Sequence, residues 1–148
     1  MFNKILVAID GSEMGDKALE AAISIAKEQD AQVSLVHVGK EVAIPPYMVG
    51  EMAYISREYD IDFNEAMKKE GEELLGQAKA KAEAAGVKSE AFYTKGDPAR
   101  QIVEKAQEGS YQLIVIGSRG LSGLKEMMLG SVSHKVSQLA SCPVLIVK

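Results

Sequence analysis

GSRGLSGLKEMMLGSVS, residues 117–133, lies between two unlike patterns, and its reading decides the fold. Before it stands the continuous apolar run Leu113-Ile114-Val115-Ile116. After it Val132, Val136, Leu139 and Ala140 recur at helical spacing. A buried strand therefore ends at Gly117 and a helix begins near Gly130, with glycines framed as Gly117, two residues, Gly120, nine residues, Gly130-Ser131. Such a turn is where an open α/β sheet binds anionic ligands. Glycine lets the backbone approach phosphate oxygens and adopt positive φ. The helix start offers unpaired N–H groups and the positive end of a dipole. Ser131 and Ser133 add hydroxyls, and Ser131 can also cap the helix. Spacing alone leaves two readings, a cradle for nucleotide phosphates or two ordinary turns, because glycine loops are common.

The remaining strands follow the same logic. Ile5-Leu6-Val7-Ala8-Ile9 is apolar without alternation, as in a parallel sheet covered on both faces. Asp10-Gly11-Ser12 ends it. Ser12 is a good N-cap for a helix whose inner face is Ala18, Leu19, Ala22, Ile23 and Ala26. Asp10 thus sits at the carboxyl end of the first strand. It can accept from an adenine amino group or a ribose hydroxyl, help hold a metal, or simply satisfy the turn. Residues 33–38 form the second strand. Val38 ends it on the same edge, where it can pack on a base while its backbone bonds the base edge. His37 has no metal-ligand partner at suitable spacing and reads as a packed, hydrogen-bonded residue.

Residues 39–60 are the least patterned, and a loop of about 20 residues is unusual unless functional. A lid, a partner surface and an early extension of the next helix all remain open there. Asp62 with Glu65 resembles a capping box opening a long helix. Gly71 and Gly76 weaken that helix, and Gly86 caps its end. Residues 87–93 make a more polar third strand. Asp97 and Pro98 start a helix ended by Gly109. Residues 142–147 form a fifth strand with an apolar, uncovered edge that invites pairing with a second copy. Right-handed crossovers then predict an α/β fold, a doubly wound five-stranded parallel sheet in the order 3-2-1-4-5 with helices on both faces. The crevice between the first and fourth strands brings Asp10 and Gly117 together.

Composition narrows the rest. A chain of 148 residues, 47% apolar and 26% charged, suits one domain over residues 1–148. A net charge of −4 argues against a general nucleic-acid binder. The lone Cys142 allows no internal disulfide and reads as a small apolar residue beside the last strand. The start, MFNKILVAID, lacks a signal-peptide core, and no apolar run approaches the about 20 residues of a membrane span. A cytoplasmic protein without membrane contact is expected. The phosphate-loop lysine motif, the Gly-x-Gly-x-x-Gly signature after the first strand and a nucleophile elbow are all missing. His134, inside the last helix, lacks an orienting carboxylate nearby in sequence. A phosphoacceptor receiver domain shares the topology but needs an acidic pair at the first strand, where Ile9 precedes Asp10.

KILVAIDGSE, LVHV, GDPARQIVEKA, LIVIGSRGLSGLKEMMLGSVSHKV and CPVLIVK together resemble the universal stress protein family along essentially the whole chain. The intact glycine frame is similar to that of the family's ATP-binding branch. The resemblance implies that Asp10 and Val38 serve the adenosine side, with Ala8 and Ile9 on the same edge. It implies that Gly117, Ser118, Arg119 and Gly120 wrap ribose and phosphates, and that Gly130, Ser131, Val132 and Ser133 hold the phosphates. It further implies ATP with Mg2+ or Mn2+, and a homodimer through Val144 to Val147. Three functions compete: a stress-response regulator that uses ATP as a conformational or dimerisation ligand with slow hydrolysis at most; an ATP hydrolase or nucleotidyl-transfer enzyme drawing on the segment 39–60 or on Arg119, Lys125 or His134; and a nucleotide-free interaction module. The regulator is the expected one, and its protein partner is not specified by the sequence.

Overall fold

The computed structural model of the chain describes residues 1–40, 51–120 and 130–148, the stretch 51–62 by its backbone. Strands and helices alternate: β1 (Lys4–Ala8), α1 (Glu13–Gln29), β2 (Gln32–Gly39), α2 (Glu51–Ala84), β3 (Ser89–Lys95), α3 (Pro98–Glu108), β4 (Leu113–Gly117), α4 (Ser131–Leu139) and β5 (Val144–Val147). The five strands form one parallel sheet in the order β3-β2-β1-β4-β5, as the sequence predicts. β1 is central. Val7 lies opposite Leu35 on one side and Val115 on the other.

The unalternating run of β1 follows from its place between two helical layers. Ile5, Val7 and Ile9 pack with Ala18, Leu19 and Ala22 of α1 and Leu75, Ala78 and Ala82 of α2. Leu6, between them, turns to the other face and meets Ile102, Val103 and Ala106 of α3 and Val136 of α4. Ile5, Leu6 and Val7 are fully buried. Each such side chain contributes about 1.5–3 kcal/mol relative to exposure. α1 starts as expected, with Ser12 accepting from Gly15 N–H. α3 starts on Asp97, which accepts from Arg100 N–H, and ends on Gly109.

Three local expectations are corrected. The capping box at Asp62 and Glu65 does not open a helix, because α2 already runs from Glu51 and passes through both positions. Of the segment 39–60, the part from Glu51 is therefore helix, while 41–50 lies outside the described residues. Ser131 does not cap α4. Gly130 is the N-cap, no side chain closes it, and Ser131 is the first helical residue. β3 is displaced to Ser89–Lys95 because its register is set by pairing with β2, Val33 opposite Ser89 through Gly39 opposite Lys95. Gly71 does more than weaken α2. A Cβ there would lie 2.6 Å from the Tyr93 ring and 2.7 Å from His37 Cδ2, so glycine lets α2 approach β2 and β3 closely.

Candidate functional site

The ladder between β1 and β4 covers Ile5–Val7 and Leu113–Val115, after which the two chains part. β1 leads to α1 on one face of the sheet, and β4 leads towards α4 on the other. A cleft of about 490 Å3 opens at this divergence. It is lined by all twelve site residues expected from the sequence: Ala8, Ile9, Asp10, Val38, Gly117, Ser118, Arg119, Gly120, Gly130, Ser131, Val132 and Ser133. Residues 121–129, including Lys125, lie outside the described residues.

Asp10 has a double role. Its Oδ1 accepts from Ser12 N–H at 2.9 Å and from Ser12 Oγ–H, while Ser12 Oγ accepts from Gly15 N–H at 3.0 Å. One carboxylate oxygen therefore fixes the turn into α1. The other, Oδ2, is directed at the glycine loop, for a Cβ on Gly120 would lie only 2.8 Å from it. Gly117 is required for a reason the sequence hides. A Cβ there would lie 2.7 Å from Met14 Cβ and 2.8 Å from the Met14 carbonyl carbon, so β4 ends tight against the first turn of α1.

The two ends of the glycine loop are joined directly. Gly130 N–H donates to the Ser118 carbonyl at 2.6 Å, and Ser118 N–H donates to the Val147 carbonyl at 2.8 Å. Ser133 is buried. Its hydroxyl donates to the carbonyls of Gly130 at 3.0 Å and Ser118 at 3.3 Å, so this side chain braces the loop and offers the cleft its backbone N–H. Ser118 Oγ–H points to Met14 Sδ at 3.9 Å.

Helix starts at this edge differ in one respect. α1 is capped by Ser12 and α3 by Asp97, but no side chain caps α4. The first N–H groups of a helix have no partner within it. Those of Ser131, Val132 and Ser133 therefore stand at the cleft with the positive end of the α4 dipole behind them. An anion is what this arrangement can hold.

On the opposite wall, His37 Nδ1 lies 2.6 Å from the Ile9 carbonyl and its ring stacks on Tyr93 with centroids 5.9 Å apart. His37 is packed and hydrogen-bonded, as expected, and it also lines the cleft. Burial, then the nearby negative charge of Glu72, raises the Tyr93 hydroxyl above its ordinary pKa. Sequence reasoning missed Lys40, Met67, Glu70, Leu74, Pro98 and Ile102 as lining residues. Met67, Glu70 and Leu74 share the i, i+3, i+7 spacing of one helix face, a spacing visible in the sequence. That this face of α2 lines the cleft was not.

Comparisons with known proteins agree with this geometry. The model of the universal stress protein family matches residues 1–148. The universal stress protein YxiE of Bacillus subtilis is 53% identical over 148 residues, covering 100% of both chains. The solved structure of hypothetical protein MJ0577 superposes with a TM-score of 0.85 at 28% identity, over 100% of this chain and 96% of that one. A universal stress protein family protein from Arabidopsis thaliana, solved with AMP bound, superposes at 0.71 and 26% identity, over 99% of this chain and 91% of that one. A five-stranded parallel sheet in the order 3-2-1-4-5, a cleft at its switch point and a whole-length match place this chain in the universal stress protein family.

Proposed function

We propose that the cleft binds ATP as a regulatory ligand. The observation that carries the reading is the uncapped start of α4, which faces the same cleft as the carboxylate of Asp10 and the strand end at Val38. Adenosine lies along Ala8, Ile9, Asp10 and Val38, ribose and phosphates along Gly117, Ser118, Arg119 and Gly120, and the phosphates at Gly130 to Ser133. The N–H groups of Ser131, Val132 and Ser133 do the phosphate binding, since the Ser133 hydroxyl is committed to backbone carbonyls. AMP in the Arabidopsis relative supports an adenine nucleotide as the ligand class.

Mg2+ or Mn2+ accompanies the triphosphate. Among the described residues no group of three or more His, Cys, Asp or Glu converges, and the carboxylates lining the cleft are Asp10 and Glu70. Asp10, whose Oδ2 is directed at the glycine loop, and Glu70 would be the carboxylates available to hold such an ion, which would screen the charge of the phosphates. Hydrolysis is slow. Among the described residues, Asp10 Oδ1 is engaged by Ser12 and His134 does not line the cleft, which supports a ligand role over a catalytic one. ATP instead acts by differential affinity for two states of a homodimer joined through Val144–Val147.

Mass spectrometry of nucleotide released by heat from purified protein, with calorimetric titration of ATP and Mg2+, tests this reading. Adenine nucleotide in the supernatant and saturable binding are expected, and neither would appear in a nucleotide-free interaction module. Steady-state phosphate release separates the regulator from an enzyme, because many turnovers per minute are incompatible with a ligand role.

A further inference from the structure

The ladder between β1 and β2 stops one rung before its register requires. Ala8 lies opposite Val36, and Ile9 N–H donates to the Val36 carbonyl at 2.8 Å. The next rung of a parallel ladder runs from Val38 N–H to the Ile9 carbonyl. Among the described residues that bond is not made. The Ile9 carbonyl is instead met by His37 Nδ1 at 2.6 Å. A carbonyl only accepts, so the proton sits on Nδ1 and the imidazole replaces the missing donor. The ring is held in that orientation from behind by Tyr93 and from above by Gly71 of α2. Residues of a parallel strand turn their N–H and C=O alternately to the two neighbours. Gly39, next along, bonds towards β3 through Gly96. Val38 therefore turns its amide to the side that β1 has left, which is the cleft.

We propose that His37 is a positioning residue for base recognition: by occupying the Ile9 carbonyl, its imidazole keeps the Val38 backbone amide unpaired and available to the planar, hydrogen-bonding edge of a nucleobase. This role rests on the nucleotide reading of the cleft, whereas the ladder break that underlies it does not. Without the imidazole donor, the Ile9 carbonyl recaptures Val38 N–H and the sheet closes over the base-binding edge.

Backbone amide hydrogen exchange of the ligand-free protein, followed by NMR, tests the ladder directly. In His37→Phe, which keeps a ring and removes the donor, the Val38 amide is expected to exchange at least about tenfold more slowly than in wild type. In His37→Asn, whose amide nitrogen can stand near the Nδ1 position, it stays fast. His37→Leu gives the same comparison if the Phe ring disturbs the stack on Tyr93. ATP affinity is expected to fall roughly five- to tenfold in His37→Phe and to recover in His37→Asn, one hydrogen bond's worth. Inorganic triphosphate, which has no base, binds all three alike. Equal Val38 exchange in wild type and both apolar variants overturns the proposal, as does a loss of triphosphate affinity equal to that of ATP. A wild type that binds no ATP overturns the nucleotide reading instead and with it the recognition role, while the exchange rates still decide whether His37 holds the ladder open.

Discussion

Asp10 shows how one side chain can serve the fold and the site together. Its Oδ1 completes the turn into α1, and its Oδ2 faces the glycine loop. Asp10→Ala is expected to weaken ATP binding about tenfold and to lower stability by about 1 kcal/mol, because Ser12 N–H and Oγ–H lose their acceptor. Calorimetry and urea denaturation measure the two effects separately. Gly130 is stricter. Its φ of −57° suits any residue, so Gly130→Asp should fold. Yet a Cβ there would stand 3.0 Å from the Ser118 carbonyl, and a carboxylate would project beside the phosphate-binding amides. Loss of ATP affinity by at least about 100-fold is expected with the circular dichroism spectrum unchanged. Affinity equal to wild type would remove the phosphate site from α4. Tyr93 gives a pH signature. Its folded pKa is raised above 10.0 by burial and then by Glu72, so its contribution to stability is complete at lower pH. It is lost as pH climbs from the unfolded value through the folded one. The unfolding midpoint should therefore fall on the alkaline side of 10.0, and less so in Tyr93→Phe.

At the scale of elements, α2 is where local signals and packing disagree. Asp62 and Glu65 spell a helix start, yet the helix runs on from Glu51, since a capping pattern does not interrupt backbone that already propagates. Gly71 reads in sequence as a weak point. Replacing it by Ala should gain about 1 kcal/mol of helix propensity in an exposed helix. Here the new methyl would meet Tyr93 at 2.6 Å and His37 at 2.7 Å, and overpacking of this kind costs about 1–3 kcal/mol. Net destabilisation of Gly71→Ala in urea is expected, and stabilisation would show that α2 can shift freely from the sheet. The helix starts were only partly legible. Ser12 and Asp97 announced the caps of α1 and α3, whereas the open start of α4 is a statement about missing partners, which no local pattern displays.

For the molecule as a whole, the free side of β5 matters most. Among the described residues β5 pairs with β4 alone, and Leu145 on it is 37% exposed. A second copy added across this edge would continue the sheet and cover that side chain. Leu145→Glu should convert a dimer to monomer in sedimentation velocity without loss of the fold, and an unchanged sedimentation coefficient would move the contact elsewhere.

The pattern of the sequence by itself determined the alternation of strands and helices, the order of the sheet and the meeting of Asp10, Val38 and Gly117 at one cleft, while the family resemblance supplied the rest of the twelve residues. The pattern could do so because apolar periodicity and glycine placement are local consequences of burial and backbone geometry. Only the tertiary structure decided what each of those residues gives. Gly117 yields to Met14, Ser133 turns its hydroxyl inward, and the His37 imidazole takes a carbonyl from a neighbouring strand 28 positions away in the chain. Each depends on which polar groups are left without partners once the layers have packed, and that count exists only in three dimensions.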